Sequence, residues 1–213
     1  MLKKISYNLD FAFIGTRKTG MDAGKEIFID YLKNKAIEDN FNEINEISED
    51  HFEYFTVFKE IPIKIKVLLS ENLEELLSNK EIKTLDVLVL ALNVYDMNAL
   101  DYYNKEILDK FRNLTEFKGV SALIGINTDQ IYGKPINPNY FRMSKANLIN
   151  KAKELNVIYC FEIQYKYKDL LEFYDKVLND FVYKFQYKSP ELFEQARNYG
   201  KDLKKQYKYL EET

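Results

Sequence analysis

The sequence predicts one α/β domain on a six-stranded, mostly parallel sheet with helices on both faces, followed by an extra C-terminal helix. Three observations carry this. The stretches "TLDVLVLALNV" (84–94), "GVSALIGIN" (119–127) and "VIYCFEI" (157–163) are continuous apolar runs, the pattern of parallel strands covered on both faces. Segments with helical spacing alternate with them, as crossover helices do. A chain of 213 residues, 46% of them hydrophobic, is long enough for one core, since a domain of this size buries roughly 70% of its unfolded surface.

The elements follow in order. "LDFAFIG" (9–15) reads as a strand entering a loop, and "EIFIDYLKNKAI" (26–37) puts Ile27, Phe28, Tyr31 and Leu32 on one helical stripe. The connection over 38–55, "EDNFNEINEISEDHFEYF", is polar and acidic. Phe41, Ile44 and Ile47 would share a face if it folded as a helix. "YFTVFKEIPIKIKVLLSE" (54–71) holds two strands with "KEIP" at the turn, and Thr56 falls inside the first. "NLEELLSN" is a short helix, and helices are expected over about 97–114, 140–155 and 168–185. The domain is expected to span 1–188, with a helical extension over 189–213 in which Pro190 suits a first turn. Gly200 falls mid-helix and weakens the case for one continuous helix.

The formal charge of −3 gives no electrostatic argument for nucleic acid. A single cysteine, Cys160, rules out an internal disulfide and suits a reducing, cytoplasmic compartment; its apolar surroundings read as a buried strand, not as a nucleophile. No signal peptide, membrane span or lipidation motif is read at either end or between them. His51 has no neighbouring His or Cys, so no metal site is expected there. Ligands of doubly wound sheets bind beyond the carboxyl ends of the strands, which here are "GTRKTG", "LSEN", "NVYD", "NTDQ" and "IQYK".

That order of elements, over about residues 9–186, resembles the Ras-like small GTPases. "FAFIGTRKTGMDAGKEIFIDYL" matches the first strand, phosphate loop and first helix. "FTVFKEIPIKIKVLLSENLEELL" matches the hairpin leading into switch II. "VSALIGINTDQI" falls where the family reads guanine, and "CFEIQYKYKDLLEFYDKVL" where it writes Ser-Ala-Lys. The resemblance implies a P-loop GTPase-like three-layer fold and a nucleotide site. Its residues would be Gly15, Lys18, Gly20, Gly24, Lys25, Glu26, Asn127, Thr128, Asp129, Gln130 and Lys166.

The motifs themselves are altered. A P-loop needs a lysine for the outer phosphates and a hydroxyl for Mg²⁺. In one register Gly15 and Gly20 are correctly spaced, but Met21 and Asp22 replace that pair. In the other, Gly24 and Lys25 are right, while Thr19 replaces the first glycine and Glu26 the hydroxyl. The second register suits the helix pattern better. Either one brings a carboxylate to the phosphate, and like charges about 4 Å apart at an effective dielectric near 20 repel by about 4 kcal/mol. The alternative reading of "TRKTGMDAGKE" is a cationic loop capping a helix.

Switch II lacks Asp-x-x-Gly, since the strand ends "VLLSENLEEL"; no threonine stands between Glu38 and Phe55 for switch I, and only Asn72 could replace the water-orienting glutamine. Asn127 matches the family's asparagine and Lys166 its lysine. Thr128 and Gln130 replace the lysine and aspartate that hold guanine, with Asp129 one place early. Glutamine offers one acceptor where the base needs two, which costs about 1.5–3 kcal/mol for a lost charge-assisted pair. The expectation is therefore a degenerate, pseudoGTPase-like protein without catalysis, cofactor or metal, serving as an interaction or regulatory subunit. Its protein partner would meet the acidic 38–55 segment or the C-terminal helix. The alternative is a divergent GTP hydrolase holding GTP or GDP with Mg²⁺ through Gly24, Lys25, Asn127 and Lys166.

Overall fold

The structure, a computed structural model, describes residues 6–15, 43–48, 51–78, 85–96, 98–126, 142–163 and 167–211. Its strands are β1 (Tyr7–Ile14), β2 (Glu43–Ser48), β3 (His51–Phe58), β4 (Ile61–Ser70), β5 (Val87–Asn93), β6 (Val120–Ile126) and β7 (Tyr159–Ile163). Its helices are α1 (Leu73–Ser78), α2 (Lys105–Thr115), α3 (Lys145–Glu154), α4 (Tyr167–Lys188) and α5 (Pro190–Glu211).

The strands form a seven-stranded sheet in the order β2-β3-β4-β1-β5-β6-β7. Strand β1 pairs in parallel with β4 and β5, and β5-β6-β7 continue in parallel; β3 runs antiparallel to both β2 and β4. The six expected strands are β1 and β3–β7. The seventh, β2, corrects the reading of the acidic connection: residues 43–48 are neither loop nor helix but an edge strand paired with β3, from Glu43 opposite Phe55 to Ser48 opposite His51. The Phe41/Ile44/Ile47 spacing suits a helix and the segment carries no period-two signal, so the available partner strand decides its conformation.

Helices lie on both faces of the sheet. On β7, Phe161 meets Phe173 of α4 edge-on at 5.1 Å, while Gly125 of β6, opposite Glu162, faces Leu148 of α3. Residues 161 and 162 point to opposite faces, so α4 and α3 cover opposite sides. Tyr7 of β1 stacks on Phe185 of α4 at 4.9 Å, and Phe11 faces Tyr174. All residues of β5 are buried, as its continuous apolar run requires. Thr56 is buried within β3 as expected. Cys160 is only half-buried, because β7 is an edge strand; burial nonetheless pushes its thiol up, away from the nucleophilic thiolate.

The helix expected over 97–114 begins later, at Lys105, after a 3₁₀ turn over Ala99–Asp101. Asn104 sits in extended backbone and its side chain accepts the Glu106 N–H, which makes it the N-cap. Arg112 then ties α2 to the end of α3, donating to the carbonyls of Leu155 (3.0 Å) and Asn156 (2.8 Å). A cation there also complements the negative end of α3.

Helix α5 is continuous through Gly200, and the glycine has a packing reason. A Cβ at that position would lie 2.0 Å from the Glu60 carbonyl oxygen, in the two-residue turn joining β3 to β4. Phe193 and Ala196 are buried in the common core, with Phe193 edge-on to Phe185 at 5.7 Å. Burying a phenylalanine in this way is worth about 1.5–3 kcal/mol. The extension is thus docked on the domain and shares its core.

At the start of β5, Asp86 exchanges hydrogen bonds with Asp10: the Asp10 N–H donates to Asp86 Oδ2 (3.0 Å) and the Asp86 N–H to the Asp10 carbonyl (2.9 Å). Desolvation raises the Asp86 carboxyl above its usual range, against the lowering effect of that Asp10 N–H. The sign follows: the fold disfavours the ionised form, so the cost is absent below the unfolded carboxylate range near about pH 4 and complete above the folded value. Asp86→Asn keeps an acceptor for Asp10 without the charge. Its melting temperature should exceed that of the parent at neutral pH, with the difference closing on acidification. A constant difference across pH would show that charge is not the cause.

Candidate functional site

The chain leaves β1 toward β4 on one side and, through α1, crosses to β5 on the other. The strand order therefore reverses at the β1/β5 boundary, and the crevice beyond their carboxyl ends is where such sheets receive ligands. Gly15 and Asn93 stand at those two ends. Of the expected site residues, Gly15 is described; Lys18, Gly20, Gly24, Lys25, Glu26, Asn127, Thr128, Asp129, Gln130 and Lys166 lie outside the described residues.

Gly15 follows β1 directly, and its N–H donates to the Ser70 carbonyl at 3.0 Å, continuing the β1–β4 ladder. Directly behind it, the buried Tyr103 hydroxyl lies 2.6 Å from the Ala91 carbonyl and 3.1 Å from the Ile14 carbonyl. One hydroxyl proton is shared between two acceptors, with the shorter contact to Ala91 the stronger. Burial pushes the phenol well above its usual range, so it stays a neutral donor. Tyr103 therefore ties the ends of the two strands that flank the crevice. The sequence gives no periodic signal for this role, since Tyr103 falls inside the segment expected to be helix.

The end of β4 is closed by its own cap. Asn72 accepts the Glu75 N–H (2.8 Å) as the N-cap of α1. The Glu75 carboxylate turns back to accept the Glu71 N–H (2.7 Å) and the Ser70 hydroxyl (2.9 Å). Asn72 is thus committed to a helix start. The spacing of an N-cap asparagine and a glutamate three residues later was present in "SENLEELL" as a capping signal.

The β5 and β6 ends are similarly tied. Asn93 accepts the Tyr95 N–H through its side chain (2.9 Å), the Val94 N–H donates to the Ile126 carbonyl (3.0 Å), and the Met143 N–H donates to the Val94 carbonyl (2.7 Å). Arg142 pairs with Glu162 near the end of β7. Among the described residues, no group of three or more His, Cys, Asp or Glu side chains is placed to hold a metal ion. No described helix is long and apolar enough to cross a membrane.

Tyr103→Phe keeps the ring and removes the donor. It should cost about 1–2 kcal/mol in urea unfolding with an unchanged m-value, since two buried carbonyls lose a partner. An unchanged midpoint would mean that the hydroxyl does not brace the strand ends.

No known protein-family model matches the chain, and no curated protein matches it in sequence.

Proposed function

We propose that the chain is a degenerate small-GTPase-fold protein that works without catalysis, as an interaction or regulatory subunit. The observation that carries this reading is the end of β4. Where the family supports its metal and senses the γ-phosphate through Asp-x-x-Gly, Ser70, Glu71 and Asn72 are held in the α1 cap around the Glu75 carboxylate. A carboxylate and an occupied backbone N–H at that point offer a phosphate repulsion, not a donor. The sequence departures at Asp22 or Glu26, at Gln130, and across the threonine-free 38–55 segment point the same way.

For partners, the reading turns to the acidic segment. Glu43 and Glu46 lie on β2, at the outer end of the strand order, with Glu38, Asp39, Glu49 and Asp50 nearby in sequence. A surface of that sign attracts a basic protein and speeds its encounter.

The decisive experiment is to denature freshly purified protein and analyse the supernatant for nucleotide by ion exchange. No released nucleotide, and no thermal shift with millimolar GTP or ATP and Mg²⁺, is expected. Stoichiometric GDP or GTP would overturn the reading in favour of a divergent GTPase, for which Lys25→Ala should abolish binding. Separately, Glu43→Lys with Glu46→Lys should abolish partner capture at an unchanged melting temperature. Retention of every partner would remove β2 from the interface.

A further inference from the structure

We propose that a cleft at the amino ends of β5 and β6 is a binding site for a small zwitterion, an α-amino acid with an apolar side chain. The cleft lies at the end of the sheet opposite the crevice, so this holds whether or not the crevice takes a nucleotide. It measures about 200 Å³, below the roughly 300–1,000 Å³ of sites for drug-sized ligands. Its walls come from three places: Leu85 and Asp86 before β5, the turn from α2 into β6, and Lys184 of α4. The turn is held in shape. Glu116 takes left-handed backbone at φ 50° as the C-cap of α2, and its N–H donates to the Arg112 carbonyl. Gly119 closes the turn onto β5: a Cβ there would lie 2.1 Å from the Asp86 carbonyl oxygen and 2.6 Å from the Phe117 ring.

The lining carries charges of both signs beside apolar surface. Asp86 and Glu116 supply carboxylates, Lys118 and Lys184 ammonium groups, and Leu85 and Phe117 an apolar wall. Glu116, Lys118 and Lys184 are exposed, and among the described residues their side chains form no ion pair or hydrogen bond, which leaves them available to a ligand. Lys184 Nζ lies 5.5 Å from the centre of the Phe181 ring. Asp86 uses Oδ2 to accept the Asp10 N–H, a bond that an asparagine oxygen would make as well. Its charge is therefore surplus to the fold, and desolvating that charge costs stability. A ligand ammonium would meet the Asp86 carboxylate and a ligand carboxylate the two lysines, through charge-assisted bonds. A molecule of one sign alone would meet repulsion along with attraction, which sets the selectivity.

Nuclear magnetic resonance titration of the full chain at neutral pH tests this. The probe is L-phenylalanine, with phenethylamine and hydrocinnamate as the same skeleton lacking one charge. Saturable amide shifts over 85–86 and 115–119 are expected with millimolar L-phenylalanine, and binding weaker by roughly tenfold with either analogue. Asp86→Asn keeps the bond to Asp10 and should weaken amino-acid binding by roughly tenfold, as should Lys184→Gln. Lys188→Gln, one turn further along α4 and outside the cleft, should bind as the parent does. Equal binding by an analogue, or by Asp86→Asn, would overturn recognition of a zwitterion. A loss in Lys188→Gln equal to that in Lys184→Gln would make the attraction non-specific and overturn it too. No saturable shift with either L-phenylalanine or L-leucine would overturn the site itself.

Discussion

The parallel pairing of β1 with β4 is the constraint on which the rest depends. It runs without interruption from Tyr7 opposite Ile63 to Ile14 opposite Ser70. Parallel strands cannot be joined by a tight turn, so the chain between them must leave the sheet and return, and all of β2 and β3 belongs to that excursion. The pairing puts Gly15 beside Ser70, and the α1 crossover then carries the chain past β1 to β5. The ends of β1 and β5, the β2 edge and the α5 contact all take their positions from this register. A one-residue slip would turn Leu9, Phe11 and Phe13, now buried with Ile65, Val67 and Leu69 on one face, to the other.

How much of this could be read in advance varied with the physical signal. Strands β5 and β6 were plain because burial on two faces leaves an unbroken apolar run, and the β3–β4 hairpin because "IKIKVLL" alternates. Strand β2 was not, since "EINEIS" is short and mostly polar, with its two isoleucines three apart, and becomes a strand through its pairing with β3. The start of α2 was misplaced by helical periodicity running back through residues whose chain is turned by the Asn104 cap. Gly200 read as a helix breaker because propensity sees only the cost of a missing side chain. The compensating contact with Glu60 is separated from it by more than half of the chain.

Strands β1, β5 and β6 were placed by their apolar runs, and of the residues in the nucleotide-site reading Gly15 follows β1 while the others lie outside the described residues. Tyr103 was invisible because its role comes from a fold-level coincidence of two carbonyls, on Ile14 and Ala91, which no local pattern encodes. The Glu75 network went unread: the Asn72–Glu75 spacing is a capping signal, but closing the end of β4 around Ser70 emerges only when β4 and α1 meet.

These features share one strand. Strand β4 begins at the turn gripped by α5 and ends at the Ser70–Glu75 cap beside Gly15. It is paired on both sides from Ile63 to Leu68, so it cannot shift at one end without disturbing the ladders to β1 and β3. Both ends are satisfied by the chain itself, Ser70 by the Glu75 carboxylate and the Glu60 turn by the close approach of Gly200, so β4 joins the two regions as one fixed element.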